Sequence, residues 1–284
     1  MKTAVSLPVL LLLFALTAIA ETSAVNTSPV ILIDASGNAG PVTTLGDWAK
    51  RREQITAAMQ EVMGPLPKSD RLVPLDMRVE EEKDFPKYVQ KKITLAVESW
   101  DRLPALLLVP KTLAGKAPAM LCLHPTSELG KAIVCGAGTK PNRNYGQELA
   151  ERGYVVLAPD YPGFGDYTGA RKALYEHGYS SASMKGIWNH MRCVDCLSSL
   201  PEVDPARIGC MGHSLGGHNT LFVGVFDPRI RVLVSSCGFT AFPKYYAGDL
   251  TGWTHDGYMP TIASVYGKDP ARMPFDFPGV LSAL

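Results

Sequence analysis

Arg207-Ile208-Gly209-Cys210-Met211-Gly212-His213-Ser214-Leu215-Gly216-Gly217 is the stretch on which the reading of this chain turns. An apolar run, Ile208 to Met211, predicts a strand. Leu215 to Phe226 carries the pattern of a helix. Gly-x-Ser-x-Gly between a strand and a helix predicts a nucleophile elbow, a sharp turn that lifts a serine oxygen clear of the main chain. The N-terminus of the following helix, with its unpaired N–H groups, favours negative charge beside that oxygen. A serine hydroxyl is a poor nucleophile near neutral pH, so it needs a base, an orienting partner for the base and donors for the oxyanion.

Outward from this turn, strands and helices alternate. Ala119 to Leu123 and Tyr154 to Ala158 are continuous apolar runs, as expected of strands covered on both faces. Asn144 to Arg152 and Ala182 to Leu200 read as helices, the second stopped by Pro201, and Ile230 to Val234 reads as a strand. This order predicts an α/β fold with a mostly parallel sheet and helices on both faces. Before it, residues 75–80, 88–97 and Leu103 to Val109 read as extended runs forming an antiparallel edge. Asp47 to Met63 reads as an amphipathic helix ended by Gly64-Pro65-Leu66-Pro67.

The donors for an oxyanion can be placed along the chain. Leu215 N–H, directly after the serine, is one. The loop Leu123-His124-Pro125-Thr126 after the first buried strand supplies the other, and since Pro125 has no N–H, Thr126 is the candidate. His124, at the end of a buried strand, reads as a residue that bonds loop backbone. His213 and His218 read as packing or surface residues pointing away from Ser214. Tyr161, in the turn Asp160-Tyr161-Pro162-Gly163-Phe164-Gly165, reads equally well as a pocket wall or as loop packing.

Composition bounds the rest. The 284 residues are 46% hydrophobic and 19% charged, with a formal net charge of +1. That suits a globular protein with a sizeable core, and gives no electrostatic argument for a nucleic acid or an anionic membrane as partner. Residues 1–20 read as a secretory signal: Lys2 at the start, an apolar run from Val9 to Leu16 too short to span a bilayer, and Ala18-Ile19-Ala20 before a cleavage point at Glu21. The expected location is secreted or periplasmic, with no stable membrane span after cleavage. Residues 21–45 form a Ser/Thr/Asn/Gly-rich lead-in, and 46–284 the principal domain. Cys122, Cys210 and Cys237 read as buried small hydrophobes. Cys193-Val194-Asp195-Cys196 lies in a helical pattern without a second pair, and Cys135 falls in a loop. No His/Cys/Asp cluster has metal-ligand spacing, and no glycine loop has the form that cradles a nucleotide, so no cofactor is expected.

Together, Leu123-His124-Pro125-Thr126, Ala158-Pro159-Asp160-Tyr161-Pro162-Gly163-Phe164-Gly165 and Gly212-His213-Ser214-Leu215-Gly216-Gly217 resemble the α/β-hydrolase superfamily. Within it they look most like the dienelactone hydrolase-like and acetyl xylan esterase-like group. The segment from Trp48 to Pro67 and Trp253-Thr254-His255-Asp256-Gly257 are similar to secreted members. The resemblance implies a three-layer sandwich with Ser214 as nucleophile, acting on a small-molecule or polysaccharide-linked carboxylic ester. The namesake enzymes use cysteine at this position, so serine shifts the expectation from lactone opening toward ester hydrolysis. The superfamily order is Ser, then Asp or Glu, then His. Downstream of Ser214 the sequence shows one clear strand and then a polar, aromatic, Pro-rich stretch. There, His255-Asp256 is the one His with a neighbouring carboxylate. The expectation is therefore a chain lacking its C-terminal strands and a recognisable acid and base, with exposed apolar surface and poor solubility. Two other functions stay open: a serine peptidase of the prolyl-oligopeptidase type, and a non-catalytic scaffold of the same fold.

Overall fold

The computed structural model describes residues 28–284, so the expected signal segment lies outside the described residues. Backbone contacts divide the chain into two units. One comprises the described part of Met1–Val62 with Thr240–Thr254 and Pro260–Ala283. The other comprises Met63–Phe239 with His255–Met259 and Leu284.

The second unit carries a seven-stranded mixed sheet. Its strands are β3 (Arg78–Asp84), β4 (Tyr88–Glu98), β5 (Asp101–Pro110), β6 (Ala117–Leu123), β7 (Val155–Pro159), β8 (Val203–His213) and β9 (Ile230–Ser236), in the spatial order β3-β4-β5-β7-β6-β8-β9. β7, β6, β8 and β9 are mutually parallel. β3, β4 and β5 join by antiparallel pairings, as expected of the N-terminal edge. Between strands run α2 (Tyr145–Glu151), α3 (Ala170–Glu176), α4 (Ala182–Ser199) and α5 (Leu215–Phe226).

The strand pleat sorts side chains onto two faces. Ala119, Leu121 and Leu123 of β6, with Val155 and Leu157 of β7, pack with Cys193, Val194 and Leu197 of α4 and Val223 of α5. The alternate residues Met120, Cys122, Val156 and Ala158 pack with Ile133, Val134 and Ala150 on the other side. Two apolar layers on one sheet are the three-layer α/β sandwich expected from the continuous apolar runs.

Four local features depart from expectation. The first strand lies at Arg78–Asp84 rather than 75–80, and every residue in it is exposed. It is held by charge complementarity with β4 rather than by an apolar face: Lys91 Nζ lies 3.1 Å from Glu82 Oε1. β8 begins at Val203, before its apolar part, because Ala117 N–H donates to Glu202 O at 2.7 Å and extends the pairing with β6. Cys237 is exposed, at φ 53°, because β9 ends at Ser236 and the chain turns. Cys135 lies at the end of a 3-10 turn, Gly130–Cys135, rather than in open loop. Cys122 and Cys210 are buried as expected.

In the first unit, β1 (Ile31–Ile33) and β2 (Ala39–Pro41) form a small antiparallel ribbon, and α1 spans Leu45–Met63. Two short helices follow, α6 (Thr261–Ser264) and α7 (Phe277–Ser282). Phe242 meets Trp253, Phe275 and Phe277 edge-on, with ring centroids 5.6–5.9 Å apart. Asp276 Oδ1 accepts from Phe242 N–H at 2.9 Å and Phe277 N–H at 2.7 Å. No helix among the described residues is long and apolar enough to cross a membrane.

Candidate active site

The turn at Ser214 is built by its glycines. A Cβ on Gly212 would stand 2.2 Å from the Gly216 carbonyl, and one on Gly216 would stand 2.0 Å from Leu123 O. Both contacts are with backbone, so helix α5 can start against strands β8 and β6 only where neither position carries a side chain. Ser214 itself sits at φ 54°, ψ −114°, a strained conformation for a residue with a Cβ. Two main-chain bonds hold it there. Its N–H donates to Ser236 O of β9 at 2.8 Å, and its carbonyl accepts from His218 N–H at 3.1 Å. The side chain is half-buried.

Ser214 and Thr126 line the same cleft, about 340 Å³ in volume, with His213 and the loop residues Thr139, Lys140 and Arg143. Among the described residues neither Leu215 N–H nor Thr126 N–H has a hydrogen-bond acceptor. Leu215 is further fixed from below, where Asn219 Nδ2 donates to Leu215 O at 2.8 Å. Asn219 also lines a water-sized void beneath the turn, with His124, Tyr161 and His190.

His124 is committed to its loop. Pro125 O can only accept, so Nδ1 carries the proton in their 2.7 Å bond. Nε2 accepts from Tyr161 N–H at 2.9 Å. Both ring nitrogens are used by one neutral tautomer, and burial pushes the imidazole below its usual value. This is the backbone-bonding role expected of it. Tyr161 takes the packing role of its two expected ones and does not line the Ser214 cleft. It walls the small void and packs its turn, with its hydroxyl donating to Gly257 O at 3.1 Å.

The other histidines divide by environment. His213 is half-buried, lines the cleft and bonds Ser236 Oγ through Nδ1 at 3.0 Å. His218 is buried in ring contact with Phe222 and Tyr258, and burial pushes it down to about 3. Burial does the same to His190, again to about 3. His255 Nδ1 accepts from Gly257 N–H at 3.1 Å and stands 4.0 Å from Asp256 Oδ1. None of the six histidines in the sequence hydrogen-bonds Ser214 Oγ among the described residues. The structure thus brings Ser214 and Thr126 to one cleft, sets Leu215 directly behind the serine at the start of α5 and against the void beneath, and does not join His255-Asp256 to Ser214.

Sequence reasoning missed the two cations of the cleft, Lys140 and Arg143, and the support of Leu215 by Asn219. The signal for Asn219 was its place one turn beyond Leu215 on the helix. Nothing local in the sequence marks the cations.

The chain is similar to known proteins in sequence and in fold. Residues 143–270 match the model of the prolyl oligopeptidase family. "Putative hydrolase YtaP" of Bacillus subtilis (strain 168) is 29% identical over 197 residues, covering 66% of this chain and 64% of that protein. The S-formylglutathione hydrolase of Bos taurus is 25% identical over 173 residues, covering 52% of this chain and 59% of that protein. The chain thus spans less than two thirds of the length of these relatives. A glucuronoyl esterase from Solibacter usitatus superposes with a TM-score of 0.64 at 21% identity, covering 90% of this chain and 76% of that one.

Proposed function

We propose that this chain, whose fold and relatives are those of the α/β-hydrolase superfamily, is a serine hydrolase of carboxylic esters. The observation that carries the reading is the strained Ser214 at the crest of its turn, facing a cleft shared with Thr126 and next to the acceptor-free N–H of Leu215. In this reading Ser214 Oγ adds to the acyl carbon and its proton passes to a base. The carbonyl oxygen takes up negative charge between Leu215 N–H and Thr126 N–H. The C–O bond to the alcohol then breaks and the alcohol leaves protonated. Water releases the acid from the acyl-serine, so the balance is ester plus water to acid plus alcohol. The substrate is a small-molecule or polysaccharide-linked ester, met outside the cytoplasm if residues 1–20 act as the export signal that Lys2 and Ala18-Ile19-Ala20 suggest.

The match of residues 143–270 to the prolyl oligopeptidase family favours a second reading, a serine peptidase with the same nucleophile. A fluorophosphonate probe tests what the two share: labelling of the wild type and none of Ser214→Ala is expected. Absence of labelling in the wild type overturns both and leaves a scaffold without chemistry. Turnover of p-nitrophenyl acetate without cleavage of a prolyl-p-nitroanilide peptide separates esterase from peptidase. Removal of the nucleophile is expected to lower ester turnover by about 10³-fold or more.

A further inference from the structure

We propose that the Ser214 cleft selects esters carrying a free carboxylate close to the scissile bond, and that Arg143 and Lys140 bind that carboxylate. The inference rests on the ester-hydrolase reading and names its substrate class. The observation is a charge imbalance: two cations line this cleft and no carboxylate does. Among the described residues neither cation has an ion-pair or hydrogen-bond partner. The carboxylates nearby in sequence are placed otherwise. Glu148, which lines the adjoining cleft beside Arg143, pairs with Arg152 at 3.0 Å. Glu128 is exposed, between the lining residues Ser127 and Leu129.

Another charged cleft of this unit shows the contrast. There Lys92 and Lys131 lie 3.1 Å and 2.8 Å from Asp166, which lines that cleft with them, and Lys131 is also 2.5 Å from the buried Asp160. Those lysines are neutralised by the protein itself. Arg143 and Lys140 are left to be neutralised by what enters.

Arg143 is half-buried, so its guanidinium is partly shielded from solvent and its field is felt within the site. His213, beside the nucleophile, registers that field: burial first and Arg143 second hold its imidazole below the usual value. A planar guanidinium suits a carboxylate by paired N–H···O bonds, and the mobile, exposed Lys140 ammonium adds a point charge. Ile133 lines the same cleft and gives an apolar wall for the short chain between carboxylate and ester.

The test compares matched substrates. Mono-p-nitrophenyl glutarate is set against p-nitrophenyl pentanoate, with the charge on the acyl side. 4-Carboxyphenyl acetate is set against phenyl acetate, with the charge on the alcohol side. The wild type is expected to prefer the charged member of one pair in kcat/KM, with the preference shrinking as salt rises. In Lys140→Gln/Arg143→Gln the charged-to-neutral ratio is expected to fall by roughly tenfold. In Lys116→Gln, just before β6 and so at the opposite end of that strand from the Thr126 loop, the ratio is expected to hold. No preference in either pair overturns the proposal. So does an equal loss on both members, which would make the cations general stabilisers of the oxyanion.

A binding measurement keeps this separate from the esterase reading. Ser214→Ala protein is titrated calorimetrically with the same four esters. Tighter binding of a charged member, lost on adding the double substitution, supports the carboxylate site even if the wild type hydrolyses nothing. Equal binding of charged and neutral members counts against it even if hydrolysis is brisk.

Discussion

A methyl group at position 216 would be placed 2.0 Å from Leu123 O, a contact no side-chain rotation can relieve. Gly216→Ala must therefore move α5 away from β6, and with it the N–H of Leu215. The expected outcome is loss of fluorophosphonate labelling at Ser214 and a loss of about 1–3 kcal/mol of stability in urea unfolding. Unchanged labelling would show that the turn tolerates the shift. At this scale much was legible. The glycines, the serine and the residue after it declare a turn that only such residues can make, and Pro125 excludes itself as a donor. The pairing of His124 with Tyr161 N–H was legible in kind, not in partner, because the contact joins residues brought together by adjacent strands. Lys140 and Arg143 were not legible, since a basic residue in a loop has the same sequence appearance whether it faces solvent or a cleft.

Among elements, the β4–β5 hairpin is tied to α4 by a buried charge cluster that the sequence did not announce. Lys185 Nζ lies 2.6 Å from Glu98 Oε2 and 2.6 Å from Asp101 Oδ2, and the lysine is fully buried. Tyr179 OH donates to Glu98 at 2.9 Å, Tyr167 OH donates to Asp101, and the Lys185 ammonium sits 4.7 Å from the centre of the Trp100 ring. Removing Lys185 leaves Asp101 in the interior without a cation and leaves Glu98 with Arg71 alone, 3.1 Å from its Oε1. Lys185→Met is expected to cost about 3–5 kcal/mol in urea unfolding, and adding Glu98→Gln and Asp101→Asn to recover part of it. A cost below about 1 kcal/mol would show that water reaches the cluster. Periodicity found α4 to within a residue because its apolar stripe is long. It misplaced β3, whose sequence is held by lysines on a neighbouring strand rather than by an apolar face of its own. It also misjudged Cys237, which follows β9 but lies past its last paired residue.

The sheet-bearing unit as a whole contains buried neutral imidazoles, and these couple its stability to pH. His190 and His218 are each pushed down to about 3 from an ordinary 6.5. Folded, they bind protons more weakly than unfolded. The stability they allow is complete above about 6.5 and is lost as pH falls toward 3. The thermal midpoint is expected to drop between about pH 7 and about pH 5, and to drop less steeply in His190→Leu, which removes one of the two groups. Parallel slopes for variant and wild type would mean that His190 is not the group that titrates.

The bond from Ser214 N–H to Ser236 O has a consequence for the sheet's margin. β9 is the last strand in the order, paired on one side by β8, with Val232 and Val234 exposed along it. Ser214, the proposed nucleophile, is thereby hinged to the outermost rail of the sheet instead of to its sheltered middle. Any chain that zips onto that rail, or any strain that peels it back, tilts Ser214 directly, so crowding at a surface edge and the posture of the crest are one mechanical problem.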